Sequence, residues 1–211
     1  MGHITRTPVW GSIDLDTTEG RVYFKQKWLY HWSLWPGVTD VWTYKEKLRF
    51  HTRVDISIWR VWSNKLKLTV AGAAPFAAKF AATGVPINFD VEWILSGTPH
   101  YTVTVFKMPA GSTATTHRSN VNFGARTIEL DTADVGTHAV ANAAGATNPN
   151  FETPPHEFSH TLNNPDEYNA GSPHIADSSS LVNIGNQVRA RHIRLILAEL
   201  NTMIPGVTFS L

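Results

Sequence analysis

Two stretches in the middle of the chain alternate apolar and polar residues so strictly that they leave little choice of local structure. VPINFDVEWIL, residues 85–95, puts Val85, Ile87, Phe89, Val91 and Trp93 on one side and Asn88, Asp90 and Glu92 on the other. HYTVTVFKM, residues 100–108, repeats the device with Tyr101, Val103 and Val105. A period of two buries one face of a strand and leaves the other polar. Strands of this kind need a sheet with something packed on its apolar side. KLKLTV, residues 65–70, and RTIELD, residues 126–131, are further candidate strands. The alanine-rich AGAAPFAAKFAATG, residues 71–84, fits a loop or a short helix.

Around these strands the patterning changes. In residues 39–62, Phe50, Val54, Ile58, Val61 and Trp62 recur at helical spacing, so a long helix capped by Asp40 is expected. Trp28, Trp32 and Trp35, spaced by four and three, fit one face of a short helix or an aromatic-rich strand pair. Core packing accounts for them, with a carbohydrate or peptide platform as the alternative. Residues 131–150 are small and polar and are expected to form a loop with one helical turn. Residues 186–203, NQVRARHIRLILAELNTM, place Val188, His192, Leu195, Ile196 and Glu199 on one face of an amphipathic helix, with Pro205 just beyond it. No repeat and no long linker divides the chain. The expectation is one domain over residues 1–211, with an aromatic, strand-rich half (1–131) and a second half (132–211) holding the candidate site.

That site is TPPHEFSHTLNNPDEY, residues 153–168. Thr153 is a good N-cap, and Pro154 suits a first helical turn, where no amide donor is needed. On the resulting helix His156 and His160 point the same way, one turn apart. Two imidazoles so placed can reach one zinc ion at about 2.0–2.1 Å. Phe158 and Leu162 share the inward face and anchor the helix. Glu157, about 100° further round, is poorly placed as a ligand on that helix but well placed to meet water on the open side of the metal. This is the HExxH pattern, in which zinc activates water and polarises a peptide carbonyl while the glutamate moves the proton.

Composition narrows the ligand choice. There is no cysteine, so disulfides, thiol catalysis and thiolate-ligated zinc are excluded, and histidine and carboxylate must serve. A net charge of +1 with dispersed charges gives no argument for nucleic acid or an anionic membrane. No stretch approaches the roughly 20 apolar residues of a membrane span. The first residues lack the basic start and continuous apolar core of a secretory signal.

The third ligand is open between several groups. Asp166 lies ten positions after His156, where the extended pattern HExxHxxGxxH/D has its last ligand. Asn163 and Asn164 occupy the turn that glycine usually makes, and asparagine tolerates the left-handed conformation next best. Glu167 is its neighbour, with the carboxylate not used left to brace a histidine. Glu199 on the last helix is an alternative, followed by His174 and His192. His192 itself fits either a hydrogen-bonded core histidine or a site neighbour that stabilises an oxyanion. Tyr168 either packs the loop or reaches the site.

HEFSHTLNNPDEY followed by SSSLVNIGNQVRARH resembles a group of bacterial zinc metallopeptidases with HEFGHxLGxPDEY and a later SIMNxGxxVRxRH. Such domains occur as toxins of type VI secretion and related contractile injection systems, including extensions of VgrG spike proteins. The resemblance is close over residues 150–200 and general elsewhere. It implies an α+β, zincin-like fold: a twisted, mostly antiparallel sheet, an active-site helix and a C-terminal helix. It further implies Zn2+ held by His156, His160 and Asp166, Glu157 as general base, and His192 as a catalytic neighbour. Val182 stands where the family has methionine, and Asn163 where it has glycine. The implied activity is hydrolysis of a peptide or protein substrate by an injected effector that needs no signal peptide and acts in a target cell's periplasm. A secretion spike and a cognate immunity protein are the implied partners. The alternatives are a non-catalytic, metal-containing binding module of the spike, and a zinc amidase acting on peptidoglycan peptides.

Overall fold

The computed structural model describes residues 2–113 and 116–211. In chain order the strands are β1 (His3–Arg6), β2 (Ser12–Asp16), β3 (Arg21–Leu34), β4 (Lys67–Gly72), β5 (Val85–Ile94), β6 (Tyr101–Lys107), β7 (Asn120–Asn122), β8 (Thr127–Asp131), β9 (Thr137–Ala141), β10 (Thr147–Glu152) and β11 (Val207–Ser210). The helices are α1 (Tyr44–Trp62), α2 (Pro75–Phe80), α3 (Thr153–His160) and α4 (Arg194–Leu200), the last preceded by a 3₁₀ turn, Ala190–Ile193.

The architecture is α+β around a nine-stranded sheet in the order β11-β4-β5-β3-β6-β8-β7, with β1 and β2 joined to it through β3. The sheet is mixed: five of its eight pairings are antiparallel, and the three at its centre are parallel. β3 runs parallel to β5 on one side and to β6 on the other, and β6 runs parallel to β8. Alternation identifies a strand but carries no information about its neighbour's direction. Parallel neighbours normally need a crossover of a dozen or more residues. The link from β5 to β6 is shorter because β6 is displaced along β3: Ile94 lies opposite Leu29, and Tyr101 opposite Trp28. The first half of β3 pairs with β2, and β6 takes over beyond it.

The tryptophan-rich segment is this long strand and not a helix. Val22, Phe24, Gln26, Trp28 and Tyr30 are buried on one face, so Trp28 and Trp32 share a side as strand positions. Gln26 is the polar member of that face, and every group on it is satisfied. Its Nε2 donates to the Trp10 carbonyl (2.8 Å) and to Thr161 Oγ1 (2.9 Å), and its Oε1 accepts from Trp28 Nε1 (2.9 Å). A buried amide without these partners would cost about 1–3 kcal/mol. The bond to Thr161 ties the centre of the sheet to the end of α3.

The long helix forms as expected, but Thr43 caps it. Thr43 and Glu46 make a reciprocal capping box, and Asp40 instead pairs with Lys107 (2.6 Å). Phe50, Val54, Ile58, Val61 and Trp62 face inward. Trp62 meets Phe89 (ring centroids 4.9 Å) and Phe158 of α3 (5.3 Å), and its Nε1 donates to the Pro155 carbonyl (3.0 Å). Phe158 also packs on Phe24, Trp28 and Phe89, so α3 rests on an aromatic floor laid by β3, β5 and α1. Among the described residues no helix is long and apolar enough to cross a membrane.

Candidate metal centre

The helix that carries the two histidines is short because both of its ends are specified. Pro154 and Pro155 sit in its first turn, where their missing amides leave no bond unmade. The cap is Glu152 and not Thr153, and it makes no side-chain cap bond. Its carboxylate instead accepts from Ser57 Oγ (2.6 Å) and Arg60, fastening the helix start to α1. At the other end Asn163 adopts φ +59°, the left-handed turn that a glycine usually makes. Asn164 Nδ2 then donates to the Ser159 carbonyl (3.0 Å) and the His192 carbonyl (2.9 Å). The chain reverses there and brings Asp166 back toward the histidines.

His156, Glu157 and His160 form a group that could hold a metal ion, each offering a ligand atom within 4.8 Å of the others. A tighter triangle lies inside this region. His156 Nε2 and His160 Nε2 are 3.1 Å apart, and Asp166 Oδ1 is 3.3 Å from the first and 3.1 Å from the second. Each Nδ1 faces a backbone carbonyl: Leu181 for His156 (2.8 Å) and Asn164 for His160 (2.6 Å). A carbonyl only accepts, so each Nδ1 carries its proton and each Nε2 presents a lone pair. Two lone pairs and a carboxylate oxygen thus converge, which is repulsive unless a positive charge sits among them. Ligand atoms about 2.0–2.1 Å from a tetrahedral ion stand about 3.3 Å apart, close to these separations. Asp166 Oδ1 is buried and has no aligned hydrogen-bond donor. The residues therefore fit a divalent cation that accepts nitrogen and oxygen donors.

The electrostatics carry the same demand. Burial raises the Asp166 carboxyl, but the imidazoles of His156 and His160 outweigh it and hold it well below the usual range. Burial opposes a charged His160, while Asp166 and Glu157 pull its pKa up. Tyr168 donates to the other oxygen, Oδ2, of Asp166 (2.7 Å) and stacks beside His156 (ring centroids 5.9 Å). Burial, more than the neighbouring histidines can offset, raises the Glu157 carboxyl. Its Oε2 is buried without a partner.

Two cavities flank Glu157. The smaller, about 270 Å3, is lined by Val140, Phe151 and Ile184 together with His138 and Asp134. The larger, about 580 Å3, lies on the Asp166 side against Val121, Phe123, Asn163 and Pro165. Arg118 borders both. The hairpin of β9 and β10 forms the outer wall of the smaller cavity, where a loop with a helical turn was expected. The residues of β9 are small and weakly alternating, with His138 and Val140 half-buried, and in β10 Phe151 is the one buried side chain, so the signal is too faint to separate strand from loop. His138 and Arg118 were missed for that reason: isolated polar residues acquire a role only when the chain folds over the helix.

The other candidates are placed elsewhere. Glu167 is held by Arg191 (2.6 and 2.8 Å), which also binds Asp177 (2.8 Å), and Asp177 in turn accepts from Arg189 (2.7 and 2.9 Å). This network pins residues 177–180 and 189–191 beneath the site, with Leu181 presenting its carbonyl to His156. His174 is exposed, Glu199 is half-buried, and neither joins the metal-capable group. The expected last helix is interrupted: Val188 precedes the 3₁₀ turn that carries His192, and the α-helix begins at Arg194.

His192 is 1% exposed and borders neither cavity. Its Nδ1 accepts from the Arg189 amide (3.1 Å), which leaves the Nε2 proton facing Ser180 Oγ at 3.3 Å. Burial pushes its pKa down to about 4 from the ordinary 6.5. Between these values the unfolded chain binds a proton that the native state refuses, so stability rises with pH through that window and is lost as pH falls. The loss due to His192 is expected to reach on the order of 3 kcal/mol from pH 7 to pH 4. Urea unfolding in chelator throughout, with His192→Gln showing a shallower acid loss than the parent, checks it.

No family model, no curated protein and no solved structure matches the chain, so the reading of this centre rests on its own geometry.

Proposed function

We propose that the chain is a zinc-dependent endopeptidase, with His156, His160 and Asp166 holding the ion and Glu157 as general base. One observation carries the proposal. Two imidazole nitrogens with fixed tautomers and a carboxylate oxygen converge within 3.1–3.3 Å of one another, beside a second carboxylate that is buried and unpartnered.

A bound zinc ion supplies a Lewis acid that acidifies a water and polarises a carbonyl. The residues do the rest. Glu157 takes a proton from the attacking water and returns it to the departing amine. Its raised pKa brings it nearer to the neutral range, where a carboxylate can perform both transfers. Tyr168 occupies Asp166 Oδ2 and so leaves Oδ1 turned toward the histidines. The cavities on either side of Glu157 give a peptide two places to seat the residues flanking the cut bond. His192 enters this proposal as a positioning residue and not as a group that touches substrate. Its carbonyl holds the Asn164 side chain, and the Asn164 carbonyl orients His160.

The setting belongs to the proposal through the sequence resemblance alone: an injected effector, delivered on a secretion spike and countered by an immunity protein. Metal analysis of the purified protein is expected to give one zinc per chain. Casein digestion is expected to stop when a chelator removes the ion and to return when zinc is added. Zinc without proteolysis, together with cleavage of muropeptides, would instead support the amidase. Zinc without cleavage of either substrate would leave the non-catalytic, metal-containing binding module.

A further inference from the structure

The two cavities beside Glu157 share one cationic side chain and differ in their acidic lining, Asp134 in the smaller and Asp166 in the larger. Arg118 borders both, with its side chain 78% exposed. It is anchored at one point, donating to the Tyr168 hydroxyl with its guanidinium 5.9 Å from that ring's centre. Its nearest carboxylate is Asp166 Oδ2, at 3.9 Å, too far for a hydrogen bond and already bonded to Tyr168. Most of the guanidinium fork is therefore free to meet a ligand.

The smaller cavity is lined in part by Asp134, 2% exposed and pushed up to about 7 by burial and by Asp131. Burial there disfavours any further carboxylate. Among the described residues, the larger cavity has no acidic group besides Glu157 and Asp166, which a divalent cation would balance. Arg118 then contributes its uncompensated charge. Val121, Phe123 and Pro165 offer apolar surface to a side-chain stem, and the exposed Asn163 stands at the rim.

We propose that the larger cavity takes a carboxylate-bearing residue of the peptide substrate, aspartate, glutamate or a terminal carboxylate, and that Arg118 is the specificity-determining side chain. The inference rests on the peptidase reading and adds its substrate class. Guanidinium–carboxylate recognition is bidentate and charge-assisted, which makes it selective among side chains.

The test uses a randomised peptide mixture with cut sites read by mass spectrometry. The zinc-loaded protein is expected to enrich acidic residues next to the cut bond. Arg118→Gln is expected to lower the ratio of acidic to neutral cleavage by about tenfold, and Arg118→Glu to move the enrichment to lysine and arginine. Calorimetric binding of an acidic peptide and its amide counterpart to Glu157→Gln protein gives a readout without turnover. The acidic peptide is expected to bind more tightly, with an advantage that shrinks in high salt and vanishes in the Glu157→Gln, Arg118→Gln double variant. An equal loss on all peptides with weakened zinc binding would make Arg118 a brace for Tyr168 and Asp166, and would overturn the proposal. So would an unchanged preference after charge reversal. A parent protein that cuts no peptide refutes the peptidase reading, and the binding arm then decides the charge preference alone.

Discussion

Glu157→Gln is expected to lower kcat/KM for peptide hydrolysis by about 10²–10⁴-fold, the range for loss of a general base. Zinc content and melting temperature are expected to stay near those of the parent. The reason lies in where the carboxylate sits. Glu157 is 7% exposed, and its Oε2 has no protein partner, so the amide breaks no bond. Burying a charged carboxylate without a partner is unfavourable, and a neutral amide of the same shape relieves that cost. Activity and stability should therefore separate. Kinetics on a fluorogenic peptide, metal analysis and thermal melting measure the three quantities on one preparation. A variant that keeps full activity would remove Glu157 from the chemistry, and one that loses zinc or unfolds would make it structural.

Asp166→Asn carries the second large effect. Its zinc affinity is expected to fall by more than about 100-fold, beyond the 10–100-fold typical of outer-shell partners. The substitution keeps the shape and an oxygen that Tyr168 can still bond. It removes the only anion among the three converging atoms, and a neutral amide oxygen is a poor zinc donor. Competition against a chromophoric chelator reads the affinity directly. Glu199→Gln is the control: a collapse there with Asp166→Asn unaffected would transfer the third ligand to the last helix. Glu167→Gln gives a graded comparison, since Glu167 reaches the site only through Arg191 and the backbone.

The elements that were legible in the sequence are those whose signal is local. Strict alternation marked β5 and β6, and helical spacing over residues 39–62 marked α1. The prolines and the Asn163 turn marked the limits of α3, which places His156, Glu157 and His160 together at the spacing of one helical turn. Each of these follows from sterics or from burial of one face, within a window of a few residues. Asp40 and Thr43 lie in the same window and both residue types cap well, so the local pattern does not choose between them.

Long-range pairing decided the rest. Trp28 and Trp32, four apart, satisfy a helical spacing and a strand spacing equally, and β3 became a strand because β2, β5 and β6 were present to take its backbone bonds. The parallel direction of β5 and β6 goes with the stagger of β6 along β3, which no local pattern encodes. The hairpin over the site, the burial of His192 and the place of Arg118 between two cavities are likewise products of packing. A residue's spacing along the chain settles which face of its own element it occupies. What it meets across that face is set by segments a hundred residues away, whose approach depends on burying the whole core at once.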